Sequence, residues 1–523
     1  MEFSLSGQRR KRSTVEKSTY PLPNSRRRSD SLKILLINAD AVHVEQKAAV
    51  PLGLLSIAAY LNDHGHTVEI YDRVVEGGSL HKHLKRFKPD AAGISAIGIE
   101  SFPDAFRVSK ALKKRNIPVV WGGQMPSLIP QVVLQNPAVD FVVIGEGEIT
   151  MMTLLDALGG KGPLGDVNGL AYRENGVVKT NKPRAFADLA QLPVIDWRYV
   201  GLEKYFIQNF SSAKTLHVYS SKGCPGKCAY CYSPNYSACT WRARPIEYVM
   251  KEIQYLVENH GIDGVFFADD LLSPSAARLH ELFKAISLSG LRFVWGCDLR
   301  VDRWSREDLQ MMYDAGCRWI FFGIESGSPE RQKKIRKMTD LQKAEETVNA
   351  CREIGIVTTT SFIIGFPGET EAELKETVSY ICRLQSDVKL AFYFYPVPNS
   401  ELFAQLVASG CFKAPGTIRE WMRYPKLNRL TMNFSQVPDR ELKVVCSWFL
   451  WQSIFGNYRN YAGRSRVYAK KALGQTVENL RRRTPRSLRK VFAAVREFIG
   501  VAFYALTFPK ILRKYGLKAN GKR

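Results

Sequence analysis

The stretch "TLHVYSSKGCPGKCAYCYSPNY", Thr215 to Tyr236, joins a strand-like run to three cysteines, Cys224, Cys228 and Cys231, set within eight residues. "TLHVYSS" has the apolar, β-branched and aromatic make-up of a β-strand. The cysteines follow it with the spacing Cys-x3-Cys-x2-Cys, and an aromatic, Tyr230, stands just before the last of them. A structural zinc site needs four closed ligands, often as two separated pairs. Here Cys239 is the only nearby fourth candidate, and no histidine follows at finger spacing. An iron–sulfur cluster also normally takes four thiolates. Three leave one iron open to a ligand from outside the chain.

Downstream of this strand the pattern repeats. "GVFFADD", "RFVWGCDLR", "WIFFGIES", "TTTSFIIG" and "KLAFYFYP" read as further strands, and segments such as "IEYVMKEIQYLVENHG" and "EAELKETVSYICRLQ" read as helices between them. Six βα units are fewer than the eight of a closed barrel, so residues 206–430 are expected to form a partial, open (βα)6 barrel. Its working residues should stand at the carboxyl ends of the strands, where the cysteines fall. Upstream, "LKILLIN", "TVEIYD", "DAAGISA", "PVVWGGQ" and "DFVVIGEGE" are five short apolar strands separated by helix-length stretches. They predict a doubly wound, Rossmann-like α/β domain over residues 32–150. A nicotinamide reading needs G-x-G-x-x-G directly after the first strand. The turn there, "ADAVHVEQ", has no glycine. Residues 151–205 read as a small hairpin and a connector.

The chain has 523 residues, 45% of them hydrophobic, enough to bury two or three domain cores. None of its ten cysteines precedes Cys224, and those outside the cluster lack the even spacing of a disulfide framework. The beginning, "MEFSLSGQRRKR", is polar and basic, unlike a signal peptide. A reducing, cytoplasmic setting is expected. The net charge of +25 sits at the ends: residues 1–31 carry 8 Lys/Arg against 3 Asp/Glu, and residues 457–523 carry 18 against 2. Residues 1–31 read as a basic, disordered tail. Residues 431–523 read as helical and basic, with the apolar segments "CSWFLWQSIF" and "RKVFAAVREFIGVAFYALTFPKILRKYG". Two readings stand open there: an amphipathic helix on the inner, anionic face of a membrane, or a helix packed on the barrel with its basic residues solvated. Nucleic acid is not the expected partner, since no known RNA-binding module accompanies the basic tail.

Taken together, the cysteine motif and its strand context resemble the radical S-adenosylmethionine (SAM) enzymes. The resemblance implies a [4Fe-4S] cluster on Cys224, Cys228 and Cys231, with SAM on the open iron and Tyr230 beside it. It places Asp269 and Asp270 of "FFADD" at the SAM amino group, Arg300 of "CDLRVD" at its carboxylate, Glu325 of "FFGIESG" at the ribose, and the backbone near Ile364 of "IIGFPGET" at the adenine. An electron donor such as flavodoxin or ferredoxin is implied as partner. The first domain resembles the cobalamin-binding domains fused in front of such barrels. The matching residues are Ser95 of "DAAGISA", Gly122, Gly123 and Gln124 of "VVWGGQ", and Gly145, Glu146, Gly147 and Glu148 of "IGEGE". The D-x-H-x-x-G motif that places a histidine on cobalt in some cobalamin proteins is absent, so a cobalt without a protein histidine is expected, with His43, His64 and His66 at the surface.

The absence of cysteines before Cys224 argues against a methylthiotransferase, whose leading domain carries a second cluster. Only Cys411 and Cys446 lie beyond residue 400, too few for a further four-thiolate cluster. The activity implied is methylation of an unactivated carbon: one SAM methylates cob(I)alamin, a second gives the 5′-deoxyadenosyl radical, and the substrate radical takes the methyl group from methylcobalamin. The substrate would be a small or lipid-like molecule. The alternative within the same family is a cyclase or oxidative rearrangement enzyme like the anaerobic Mg-protoporphyrin ester cyclases. From another class, a zinc-stapled RNA- or membrane-binding protein would be told apart by its metal.

Overall fold

The computed structural model describes residues 31–40, 49–76, 79–208, 211–424, 430–455 and 508–517. Its first sheet holds β1 (Lys33–Asn38), β2 (Thr67–Asp72), β3 (Ala91–Ser95), β4 (Val119–Gly122), β5 (Phe141–Val143), β6 (Leu170–Glu174) and β7 (Val177–Thr180), in the order β2-β1-β3-β4-β5-β6-β7. The first five are parallel, and β6 and β7 are antiparallel. A parallel sheet covered on both faces needs strands apolar on both sides. β1 meets this with Ile34, Leu35, Leu36 and Ile37, all at most 1% exposed. Ile34 and Leu36 pack with Leu54, Leu55 and Ala58 of the helix Leu52–Asp63, and with Leu154 and Leu155 of the helix Glu148–Leu158. Leu35 and Ile37 pack on the other side with Phe102, Ala105 and Leu112 of the helix Phe102–Lys113.

The five strands and the doubly wound order are those expected from the sequence. The end of the unit is not. The expected boundary at residue 150 falls inside the helix Glu148–Leu158, and the hairpin β6–β7, assigned to a connector, extends the first sheet. β5 is only three residues long, and β6 covers its outer edge by pairing Phe141 with Tyr172 and Val143 with Leu170. The rest of the connector docks where the sheets approach. Trp197 and Tyr205 are buried, and the Tyr205 hydroxyl donates to Asp72 Oδ2 at 2.7 Å.

The second sheet is parallel and six-stranded: β8 (Thr215–Val218), then, after a ribbon of β9 (Ser221–Gly223) and β10 (Trp241–Ala243), β11 (Gly264–Phe267), β12 (Val294–Leu299), β13 (Cys317–Glu325), β14 (Val357–Ile364) and β15 (Val388–Tyr393). These are the six strands of the open barrel. Its outer face packs Phe267 and Trp295 against Phe283 of the helix Ala276–Ser289, with the Phe283 and Trp295 rings stacked at 5.8 Å. The inner face carries a layer of rings: His217 against Phe266 at 5.6 Å, and Phe266 against Trp319 at 4.9 Å.

Beyond the barrel, the helix Asp439–Phe455 packs on β15, where Leu442, Val445 and Phe449 are buried and Cys446 Sγ lies 3.1 Å from the Ala391 carbonyl. The short helix Pro509–Lys514 is tied to it by Lys514, whose Nζ is 2.9 Å from Glu441 and 2.6 Å from Glu371. The described parts of this region therefore pack on the barrel. The basic tail 1–30 and most of the apolar segment 489–516 lie outside the described residues. Among the described residues no helix is long and apolar enough to cross a membrane.

One buried ion pair anchors the connector to the barrel. Arg244 and Glu252 meet with Nη1 and Oε2 3.1 Å apart, Arg244 also donates to the Tyr219 carbonyl, and Glu252 accepts the Ile195 N–H at 2.9 Å. Glu252→Ala strands a buried guanidinium and is expected to cost about 3–5 kcal/mol in urea unfolding of the iron-free protein. The double change Arg244→Met, Glu252→Leu should restore most of that loss. An equal loss in both variants would show that the charges themselves are not what holds the connector.

Candidate active site where the two sheets meet

The cysteine loop hangs from the ribbon β9–β10, in which Lys222 pairs with Arg242 and Gly223 with Trp241. Its middle is pinned twice: the Ala229 N–H donates to the Ile335 carbonyl, and the Leu402 N–H donates to the Ala229 carbonyl, both at 2.9 Å. Cys224, Cys228 and Cys231 are partly buried and unpaired. Cys224 Sγ accepts the Gly226 N–H and Cys231 Sγ the Ser233 N–H, each at 3.4 Å, the kind of bond that iron–sulfur ligands receive. A side chain on Gly226 would begin 3.3 Å from Cys224 Sγ and 3.8 Å from Cys228 Sγ, so the glycine keeps the space beside both sulfurs clear. Among the described residues no three His, Cys, Asp or Glu side chains gather as a single-ion site. A cluster puts each thiolate on its own iron and does not require that convergence, so these residues fit a cluster. Burial pushes the Cys224 thiol up and the Cys231 thiol up to about 12, so loading iron must displace protons.

The other barrel candidates separate into those facing the strand ends and those turned into the wall. Asp270 is exposed and accepts the Tyr232 hydroxyl at 2.5 Å. Asp269 is buried, its carboxylate taken by the Ser220 N–H at 3.0 Å and by the Ser220 and Ser221 hydroxyls. Asp269 is thus occupied in holding the start of the ribbon. Arg300 is already engaged, with its fork on Asp302 at 3.2 and 3.1 Å and Nη2 donating to the Lys337 carbonyl at 3.1 Å. Glu325 is buried at a left-handed φ of 71°, next to a register shift between Gly323 and Glu325 that re-aims the end of β13. Burial raises its carboxyl, and its neighbours are Tyr230 and Lys337. Tyr230 packs its ring 5.8 Å from Phe366. Ile364 is fully buried, and the backbone beyond it turns at Gly365, whose N–H donates to Glu369.

A cleft of about 300 Å³ lies at the carboxyl edge of the first sheet and faces the barrel. Ser95, Gly122, Gly123, Gly145, Glu146, Gly147 and Glu148 line one side, and Tyr219, Ala268 and Asp270 the other. Gln124 does not line it; it starts the helix Gln124–Leu128. Gly123 has φ 107°, and a Cβ there would sit 3.2 Å from the backbone of Ala96, so only glycine fits that close approach. The bare glycine edge suits a large flat ligand, and no histidine among the described residues lines it. His64 is exposed, and His43 lies outside the described residues. His66, expected at the surface, is buried, because its Nδ1 accepts the Leu32 N–H at 3.1 Å where the chain enters β1.

Several residues at this site were not read from the sequence. Lys222 pairs with Glu148 at 2.7 Å, Glu148 also takes the Ser56 hydroxyl at 2.5 Å, and Arg242 pairs with Glu146. Burial would raise the Glu148 carboxyl, but Lys222 holds it below its usual range. The Tyr236 hydroxyl donates to the Gly145 carbonyl at 3.2 Å. No local pattern marks these pairs, which join residues 74 and 96 positions apart.

Gly226→Val would place methyl groups against the Cys224 and Cys228 sulfurs and is expected to cut iron uptake severalfold at unchanged folding, measured by iron analysis and circular dichroism. Full iron uptake would remove the glycine from the site. A second test is pH. On β12, Asp298 is pushed from 3.8 up to about 7 by burial and by Asp269 and Asp270. The folded state therefore holds a proton that the unfolded state has lost, so stability falls as pH rises from about 4 through 7. Asp298→Asn should raise the melting temperature of the iron-free protein at pH 8, by an amount on the order of 4 kcal/mol in stability, and leave it unchanged at pH 4. An equal change at both pH values would contradict that origin.

The sequence matches the family model of the radical SAM superfamily over residues 218–381 and that of the B12 binding domain over residues 41–155. An uncharacterized methyltransferase of Pyrococcus horikoshii is 30% identical over 385 residues, covering 72% of this chain and 82% of that protein. An anaerobic magnesium-protoporphyrin IX monomethyl ester cyclase of Rubrivivax gelatinosus is 26% identical, covering 68% of this chain and 66% of that one. The radical SAM methyltransferase TsrM of Kitasatospora setae, solved with cobalamin and a [4Fe-4S] cluster bound, superposes with a TM-score of 0.61 at 19% identity, covering 74% of this chain and 76% of that one, which speaks to the fold. The chain belongs to the cobalamin-binding radical SAM enzymes, with a [4Fe-4S] cluster, SAM and cobalamin as its cofactors.

Proposed function

We propose that this enzyme transfers a methyl group from SAM to an unactivated carbon of a small molecule. One observation carries the reading: a single cleft is lined on one side by the glycine edge of the B12-binding sheet and on the other by Ala268 and Asp270 at the end of a barrel strand. In this reading, a group bound on the first sheet would face the radical chemistry across the cleft. An unactivated carbon has no lone pair with which to attack SAM, and the bound cofactors supply the electron, the adenosyl radical and the methyl group.

The chain's own residues bind, orient and exclude water. Cys224, Cys228 and Cys231 would hold the cluster, and the pinned Ala229 backbone keeps the loop closed over it. Asp270, oriented by the Tyr232 hydroxyl on one oxygen, would turn its other oxygen to the SAM amino group. Glu325, aimed by the bulge in β13, would take the ribose hydroxyls. Arg300 would have to leave Asp302 to reach a carboxylate, which makes it a weaker candidate than the sequence alone indicated. Gly122, Gly123 and Gly145–Glu148 would lie under the corrin. The electron would come from a low-potential carrier of the flavodoxin or ferredoxin kind.

The test is incubation of the reconstituted enzyme with methyl-deuterated SAM, a reductant and fractionated metabolites. The expected result is one deuterated product, with S-adenosylhomocysteine and 5′-deoxyadenosine formed together. 5′-Deoxyadenosine without S-adenosylhomocysteine or label transfer would favour a cyclase or rearrangement enzyme and overturn methyl transfer.

A further inference from the structure

Lys337 is a cation with 14% side-chain exposure, placed where the cysteine loop meets the end of β13, and it has no part in the reading above. Its neighbours Arg336 and Met338 both have left-handed backbone, at φ 53° and 54°. Two such non-glycine residues in three are a costly arrangement that the surroundings must enforce. They do so by several bonds. Ile335, fully buried, offers its carbonyl to Ala229 in the cysteine loop. Gln332 accepts the Lys337 N–H on its carbonyl and donates its side-chain amide to the Ile324 and Ser326 carbonyls at 2.7 and 2.6 Å. The Lys337 carbonyl accepts from Arg300.

The strained segment aims one group. Lys337 Nζ lies 3.6 Å from Glu325 Oε1, and a Cβ on Gly323 would be 3.4 Å from Nζ, so the ammonium sits over the inner end of β13. Two residues before it, the Ile335 carbonyl takes the Ala229 N–H between Cys228 and Cys231, so the lysine's segment is fastened to the cysteine loop itself. At 3.6 Å the contact with Glu325 is longer than a good charge-assisted hydrogen bond, so the lysine is not locked to that partner.

We propose that Lys337 is the charge-compensating residue of the cluster, stabilising the negative charge it gains on reduction, with Glu325 acting in the opposite sense. The proposal rests on the reading that Cys224, Cys228 and Cys231 carry the cluster. In that step one electron from a low-potential one-electron carrier converts [4Fe-4S]²⁺ to [4Fe-4S]⁺, with no proton moved and no bond broken. Three thiolates already make the site electron-rich, and the potential of such a cluster follows its net charge and its surroundings. A fixed ammonium in a partly dry site favours the reduced form far more than it would in water.

The test is a redox titration of the cluster by electron paramagnetic resonance, without SAM or substrate, in the reconstituted wild type and in Lys337→Met, Lys337→Arg and Glu325→Gln. Lys337→Met should lower the ratio of reduced to oxidised cluster at fixed poise about tenfold, a shift of about 59 mV to more negative potential for one electron. Lys337→Arg should stay near wild type, and Glu325→Gln should shift the other way. A merely structural role would not give opposite signs. An unchanged midpoint in Lys337→Met with full iron content, or shifts of the same sign in Lys337→Met and Glu325→Gln, would overturn the proposal. If Lys337→Met fails to hold iron, Glu325→Gln decides, and an unchanged midpoint there overturns it. A wild type that takes up no iron would instead refute the cluster assignment.

Discussion

Two ion pairs, Lys222 with Glu148 and Arg242 with Glu146, hold the two halves of the molecule at one spacing. The two cations are opposite each other on the ribbon that follows the first barrel strand, and the two carboxylates are two residues apart at the carboxyl edge of the first sheet. Pairs like these add little net stability, because desolvation offsets most of their attraction. Their effect is geometric: a charge taken out of water tolerates few alternative positions for its partner. The ribbon also carries the cysteine loop, so the same contacts set where Cys224, Cys228 and Cys231 stand relative to the glycine edge. Chemistry between two cofactors on different sheets depends on that spacing.

Around the cysteine loop the charges are sorted by side. Asp269, Asp270 and Asp298 gather at the ends of β11 and β12, where burial and mutual repulsion push Asp298 up to about 7. Arg300 and Lys337 stand at the ends of β12 and β13, joined through the Lys337 carbonyl. SAM carries both an ammonium and a carboxylate on its amino acid end. Under the proposed function, the acidic groups at β11 and β12 would face the ammonium end of SAM and Arg300 the carboxylate end.

The strands were legible because each is a short apolar run with turn residues beside it, and parallel strands buried on both faces cannot be written otherwise. The grouping of Cys224, Cys228 and Cys231 was legible because all three lie on one loop and so stay close in sequence. What the sequence concealed is non-local. The pairing of β6 with β5 needs the fold before it can be seen, and so do Lys222 with Glu148 and Lys337 with Glu325. Asp269 and Asp270 are neighbours that look alike, yet in the turn after β11 one is buried on Ser220 and Ser221 and the other is exposed and lines the cleft. His66, read as a surface residue, is instead buried because the entry of β1 needs an acceptor for the Leu32 N–H.

The central claim is that one chain holds a cluster and a corrin on facing sheet edges. The most direct measurement is metal analysis and absorption spectroscopy after anaerobic reconstitution with iron, sulfide and hydroxocobalamin, followed by desalting. The account predicts about four irons and one cobalt retained per chain, set by one cluster and one corrin. Iron without cobalt would contradict the claim and leave the first sheet with another ligand; zinc in place of iron would contradict the radical chemistry itself.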